Sequence, residues 1–247
     1  KFEKKVKSIL KSKFVFACSS GTSGLHLAML SINLKKDDIV LMPTINFIAS
    51  YNIAKMIGAK IFLVDVDRRT GQMTPDLLKK CIKENNIKKI NLIICMYHGG
   101  HVANIDEIYK IKKKFNCFII EDACHALGSK YKLKNNYINV GSCKHSDIAV
   151  FSLHPVKSIT TGEGGLVSTN DKKLSKRIQL FRSHGIQRDK NCYWKYNVKD
   201  IGLNYRISDI NCALGISQLK KLNLFINKRK KIALNYISLL KGFNEYI

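Results

Sequence analysis

Short apolar, β-branched runs alternate with segments of helical period along most of the chain. The runs are FVFAC (Phe14–Cys18), IVLM (Ile39–Met42), KIFLV (Lys60–Val64), INLIICM (Ile90–Met96), CFIIE (Cys117–Glu121), DIAVFS (Asp147–Ser152) and GLVST (Gly165–Thr169). They are nearly continuous in hydrophobicity rather than alternating, which predicts strands buried on both faces. Between them the spacing predicts helices over Thr22–Asn33, Asn46–Ile57, Thr74–Glu84, Asn104–Lys114 and Asp171–Phe181. Thr74 followed by Pro75 is a cap with proline at the first helical position. From Ile207 onward the chain turns lysine-rich and helical. Strand and helix in alternation predict an α/β fold, three layers (αβα) around a mostly parallel sheet.

Such sheets place ligands beyond the carboxyl ends of their strands, so the residues just after each run carry the functional question. After FVFAC, the small-residue turn SSGTSG opens a helix near Thr22. Its N–H groups, with the Thr22 and Ser23 hydroxyls, would cradle a phosphate, although the pattern is neither a P-loop nor GxGxxG and equally describes a capped helix start. After CFII come Glu121 and Asp122, with His125 three residues further on. A carboxylate at a buried strand end requires hydrogen-bond donors or a cation, and an N-cap role would also satisfy it. After DIAVFS, the segment LHPVK sets Lys157 at the same sheet edge, followed by the glycine-dense SITTGEGG. In isolation Lys157 is one solvated lysine among many. An anion cradle, a carboxylate and an amine at three strand ends match what pyridoxal phosphate requires, with Phe47, after IVLM, available to pack on its ring.

Composition alters this picture little. The chain has 247 residues, and 43 Lys+Arg against 18 Asp+Glu give a net charge of +25. That excess would ordinarily point to nucleic acid or anionic membrane, but the basic residues are spread over nearly every polar segment, so a specific nucleic-acid partner is not expected. A general pull on anionic ligands is. The eight cysteines form no CxxC pair and are expected to be reduced; HGGH (His98–His101) has no partner pair, so no metal site is expected. No long apolar run and no secretory signal is present, which predicts a soluble, cytoplasmic protein without a membrane partner. A start on Lys1 and an end within a lysine- and leucine-rich segment predict a piece of a longer polypeptide.

The segments SSGTSGLHLAML, LMPTINFIASYNIAKMIGAKIFLVDVD, IIEDACHALGSKY, VGSCKHSDIAVFSLHPVKSITTGEGGLVSTND, LFRSHGI and NYRISDINCALGISQL resemble, in order and spacing, the pyridoxal-phosphate-dependent nucleotide-sugar aminotransferases. GSCKHSD, FSLHPVKSITTGEGG and FRSHGI narrow the resemblance to the branch acting in pseudaminic acid biosynthesis. The resemblance implies the aspartate-aminotransferase-like fold, fold type I, in a homodimer with shared active sites. It implies that Lys157 carries the cofactor and is the catalytic base, that Asp122 faces the pyridine nitrogen and that His125 lies beside the ring. By the same resemblance Thr22, Ser23 and Ser152 bind the phosphate, Phe47 packs on the cofactor, and Asn204 is donated to the partner subunit's site. Residues 1–222 would be the large cofactor-binding domain, and 223–247 a helix leading toward a smaller C-terminal domain absent from this sequence. YHGGHVANIDEI departs from the family's loop, so His98 and His101 receive no role.

The implied reaction moves an amino group from L-glutamate to the 4-keto carbon of a UDP-linked 6-deoxy-N-acetyl hexose. The alternatives are an aminotransferase for another 4-keto sugar nucleotide, such as a perosamine precursor, and a basic nucleic-acid-binding protein on a retained scaffold.

Overall fold

A computed structural model of the chain describes residues 1–102, 104–189, 191–192 and 194–243. The first half runs α1 (Phe2–Leu10), β1 (Phe14–Cys18), α2 (Gly21–Ser31), β2 (Ile39–Pro43), α3 (Ile48–Ile57), β3 (Lys60–Val64), α4 (Pro75–Glu84), β4 (Leu92–Met96), α5 (Ile105–Phe115) and β5 (Phe118–Asp122). The second half runs β6 (Lys130–Leu133), β7 (Asn136–Asn139), β8 (Ile148–Ser152), β9 (Gly165–Thr169), α6 (Lys172–Phe181), β10 (Ile186–Arg188), β11 (Tyr196–Val198), α7 (Asp209–Leu219) and α8 (Leu222–Leu239).

Seven strands form one sheet in the order β1-β9-β8-β5-β4-β2-β3. Side chains alternate between its faces, and the core splits accordingly. Ile94, Ile120, Val150 and Val167 pack with α2, α3 and α6; Ile93, Ile119, Phe151 and Leu166 pack with α1, α4 and α5. The result is the expected three-layer αβα arrangement.

The antiparallel pairs β6–β7 and β10–β11 lie outside the predicted strands, and two further features go beyond the sequence pattern. The helix α1 was not predicted, although Phe2, Val6 and Leu10 form a buried stripe at helical spacing within a lysine run. And β9 is antiparallel to both its neighbours, β1 and β8. A parallel neighbour needs a crossover, usually a helix, and the segment between β8 and β9 contains none. Because β9 is inverted between them, β1 and β8 run the same way, and β8 is parallel to β5. The carboxyl ends of β1, β5 and β8 therefore share one edge.

Leu222 at the start of α8 is buried, whereas Asn227–Leu239 is exposed throughout. Of the expected 223–247 segment, residues 244–247 lie outside the described residues. No helix among the described residues is long and apolar enough to cross a membrane.

Candidate active site

A cavity of about 330 Å³ opens at the edge shared by β1, β5 and β8. Its first wall is the start of α2. Ser20 is the N-cap, and it exchanges bonds with Ser23: the Ser23 N–H donates to Ser20 Oγ at 3.0 Å and the Ser20 N–H to Ser23 Oγ at 2.9 Å. Ser23 is buried in that exchange and does not line the cavity, contrary to its expected place beside a ligand. The helix starts at Gly21, one residue before the Thr22 expected from the sequence, which makes Ser20 its cap. Gly21 and Thr22 line the cavity with first-turn N–H groups that have no intrahelical acceptor. A Cβ on Gly21 would come within 3.0 Å of Ser152 Cβ and 3.1 Å of Cys124 Sγ, so glycine keeps this corner of the cavity open.

The second wall is the end of β5. Asp122 is 1% exposed, with Oδ2 accepting from Ser50 Oγ at 3.4 Å and Oδ1 from the Cys124 N–H at 3.3 Å. His125 is half-buried, and its Nδ1 accepts from the Gly99 N–H at 3.3 Å, which places the ring proton on Nε2. Burial, with the Lys157 cation second, holds His125 below the usual histidine range, so the ring is neutral near pH 7. The rings of His98 and His125 lie 6.0 Å apart.

The third wall follows β8. Ser152 and Lys157 both line the cavity; the Lys157 N–H donates to the His154 carbonyl at 3.0 Å, closing a tight turn. Phe47 stands at the mouth, 65% exposed, as the N-terminal flank of α3. Thr22, Phe47, Asp122, His125, Ser152 and Lys157 thus meet in one cavity. Asn204 does not line it; it is exposed and bridged to Ser183.

Gly164 and Gly165 of TTGEGG serve the chain's own packing: a Cβ on Gly165 would collide with the Ser20 carbonyl, and one on Gly164 with Thr161 Oγ1. Close approach of β9 to the α2 cap requires glycine there.

Glu121, one residue before Asp122, has its side chain on the opposite face of the sheet. It is 2% exposed, accepts from Ser146 Oγ and from the Gly141 N–H, and burial pushes its carboxyl up to about 7. The folded protein therefore holds this proton where the unfolded chain releases it. Stability contributed by Glu121 is present below pH 4.5, the ordinary value, and is lost as pH rises through about 7. The expected loss is about 3 kcal/mol. Denaturant unfolding of the parent and Glu121→Gln between these limits checks it: the variant should lack this part of the pH slope, and equal slopes would overturn the assignment.

Among the described residues, no group of three or more His, Cys, Asp or Glu side chains could hold a metal ion, and all eight cysteines are unpaired.

The DegT/DnrJ/EryC1/StrS aminotransferase family profile matches residues 1–247. A UDP-4-amino-4,6-dideoxy-N-acetyl-beta-L-altrosamine transaminase of Campylobacter jejuni (serotype O:23/36, strain 81-176) is 40% identical over 235 residues, which cover 95% of this chain and 60% of that protein. Among solved structures, the Helicobacter pylori aminotransferase PseC, involved in the biosynthesis of pseudaminic acid, superposes with a TM-score of 0.86 at 31% identity, covering 97% of this chain and 62% of that one. NtdA from Bacillus subtilis, with bound cofactor PMP, has a TM-score of 0.84 at 27% identity over 99% of this chain and 52% of that one. The chain thus spans about 60% of the length of the curated relatives it matches.

Proposed function

This chain belongs to the DegT/DnrJ/EryC1/StrS aminotransferase family, and on that premise we propose that its protein uses pyridoxal phosphate to move an amino group from L-glutamate to a UDP-linked 4-keto sugar. The acceptor is proposed as UDP-2-acetamido-2,6-dideoxy-β-L-arabino-hex-4-ulose. The products are 2-oxoglutarate and the 4-amino sugar nucleotide. The observation carrying this reading is the convergence of a helix N-terminus, a buried carboxylate and an amine on one cavity.

The residues present fit the cofactor. The Gly21 and Thr22 N–H groups and the Ser152 hydroxyl would hold its phosphate, where the helix terminus favours an anion. Asp122 would face the ring nitrogen, held in orientation by Ser50 and the Cys124 N–H. His125 and Phe47, which line the cavity, would flank the ring, and the neutral state of His125 keeps a second cation away from Lys157. Ser23 acts indirectly, fixing the turn that presents Gly21 and Thr22. Bound there, the cofactor supplies an electron sink for the electron pair left when a C–H bond beside the amino group is broken.

The chain's own residues do the rest. Lys157 Nζ takes the α-proton from the donor and, in the second half of the reaction, delivers a proton to C4 of the sugar. Asp122, 1% exposed, would meet the cofactor's ring nitrogen away from water that would screen the interaction.

The full protein is proposed as a cytoplasmic homodimer. Asn204 is exposed and lies outside its own cavity, as a residue donated to the partner's site would be. Residues 1–222 would form the large domain and 223–247 the lead into a smaller one, in keeping with the fraction of its relatives that the chain spans. Family membership favours the enzyme over the nucleic-acid-binding alternative.

The test is mass-spectrometric identification of the product from the full-length protein, isotope-labelled L-glutamate and a panel of UDP- and GDP-linked 4-keto sugars. The expected result is label in a UDP-linked 4-amino sugar. Label only in a GDP-linked product would replace the acceptor, and no labelled sugar would overturn the reading.

A further inference from the structure

The turn carrying Lys157 is anchored at its two ends and thin between them. Leu153 and Ile159 are buried at 0% and 2%, while His154, Pro155 and Val156 are exposed. The segment from β8 to β9 contains no helix or strand of its own; the His154 and Leu153 carbonyls accept from the Lys157 and Thr161 N–H groups within it, and others take partners from outside. Those toward the glycine end are served by α7: Asn211 Nδ2 donates to the Thr161 and Glu163 carbonyls. Those of the lysine turn are served by α8. One guanidinium, that of Arg229, donates to the Lys157 carbonyl at 2.7 Å and to the Ser158 carbonyl at 3.2 Å.

The seat of α8 explains how a residue this far along the chain reaches the turn. Leu222, Ile226 and Arg229 are spaced four and three apart and so share one face of the helix. Leu222 is buried, and Ile226 rests over Gly128, whose φ of +92° suits glycine and where a Cβ would collide with Ile226 Cδ1. Arg229 is one turn beyond that contact.

Behind the lysine there is space for it to move into. A second cavity, of about 270 Å³, is walled by Gly99, His125, Val156, Lys157, Ser158 and Arg229. It shares His125, Val156 and Lys157 with the larger one, so Lys157 stands as a partition between the two. Without a clamp on its backbone the turn could relax toward either side.

We infer that Arg229 is a positioning residue: its planar fork grips two successive carbonyls and holds the Lys157 amine at the wall of the larger cavity. The inference rests on Lys157 being the catalytic lysine. Lysine at 229 would not replace it, because a single ammonium is a point donor and cannot match the two carbonyls with one fixed fork. Arg229 itself touches no reacting atom; it acts through the turn.

The test uses the full-length protein as parent, Arg229→Ala, Arg229→Lys, and Lys230→Ala as a control for loss of a neighbouring exposed cation. Amide hydrogen exchange across residues 154–161, measured without cofactor, reads whether the turn is held. Both Arg229 variants should speed exchange of the Lys157 amide, and Lys230→Ala should not. With cofactor, both should lower kcat by between about 10-fold and 10²-fold, as an ångström-scale misplacement does, with KM for the amino donor little changed. Unchanged exchange in Arg229→Ala overturns the inference, as does a kcat within about twofold of the parent's. Lys157→Ala is run alongside. If that variant still transaminates, the catalytic reading fails, while the exchange data continue to report on the clamp alone.

Discussion

Lys157→Ala is expected to abolish transamination, by about 10⁴-fold or more, and to remove the visible absorbance that a cofactor covalently held by the chain would give. The size of the effect follows from two roles falling on one atom. In the proposed mechanism Nζ both anchors the cofactor and moves the proton, and the described walls of the cavity hold no second lysine. Of the two histidines that line the cavity, His125 is fixed through Nδ1 to the Gly99 N–H, and His154 is exposed with its Nε2 3.8 Å from the Glu163 carboxylate. The fold should be unaffected, because Lys157 is half-buried on a turn and its carbonyl stays available to Arg229. Steady-state rates with glutamate, together with an absorbance scan of the reconstituted protein, check the prediction. A variant that keeps its rate would remove Lys157 from the mechanism.

Asp122→Asn is expected to retain cofactor and lose activity by about 10²- to 10³-fold, the scale on which a single preorganised electrostatic partner acts. Asparagine matches aspartate in shape. Its carbonyl oxygen can still accept one of the bonds now made by Ser50 Oγ and the Cys124 N–H, so the 1% exposed site is not emptied. What it lacks is the charge. A carboxylate in this dry position interacts with a ring-nitrogen proton far more strongly than one in water would, and a neutral amide cannot replace that interaction. Cofactor affinity by equilibrium titration and kcat from single-turnover rates separate the two effects. Full activity in this variant would refute the role given to Asp122, whereas loss of folding would appear as a lowered melting temperature and would not mimic it.

The neighbouring pair Glu121 and Asp122 marks how far local sequence reaches. Both are acidic, both close the same apolar run, and the run alone makes each a candidate. Alternation across the sheet separates them: one enters the cavity, and the other goes into the opposite layer against Ser146 and the Gly141 N–H. The serines after β1 make the same point at smaller scale. SSGTSG announces a capped helix, but which serine caps and which is consumed in the cap depends on a one-residue difference in where the helix starts.

Local sequence was enough to place the seven strands of the main sheet and most helices, because hydrophobic period, caps and proline act within a few residues, whereas α1 and the short hairpins β6–β7 and β10–β11 were missed. It also determined that a small-residue turn, an acidic residue and a lysine follow three separate strands. That the three meet in one cavity depends on how the strands are ordered in the sheet. Inverting β9 between β1 and β8 keeps both pointing the same way, and that choice is made by a connection too helix-poor to cross over, not by the strands' own composition. The grip of Arg229 on the Lys157 and Ser158 carbonyls was likewise invisible in the sequence. Its partners are main-chain oxygens 72 and 71 positions away, which leave no mark on residue type, and only the packing of α8 over Gly128 brings the guanidinium to them.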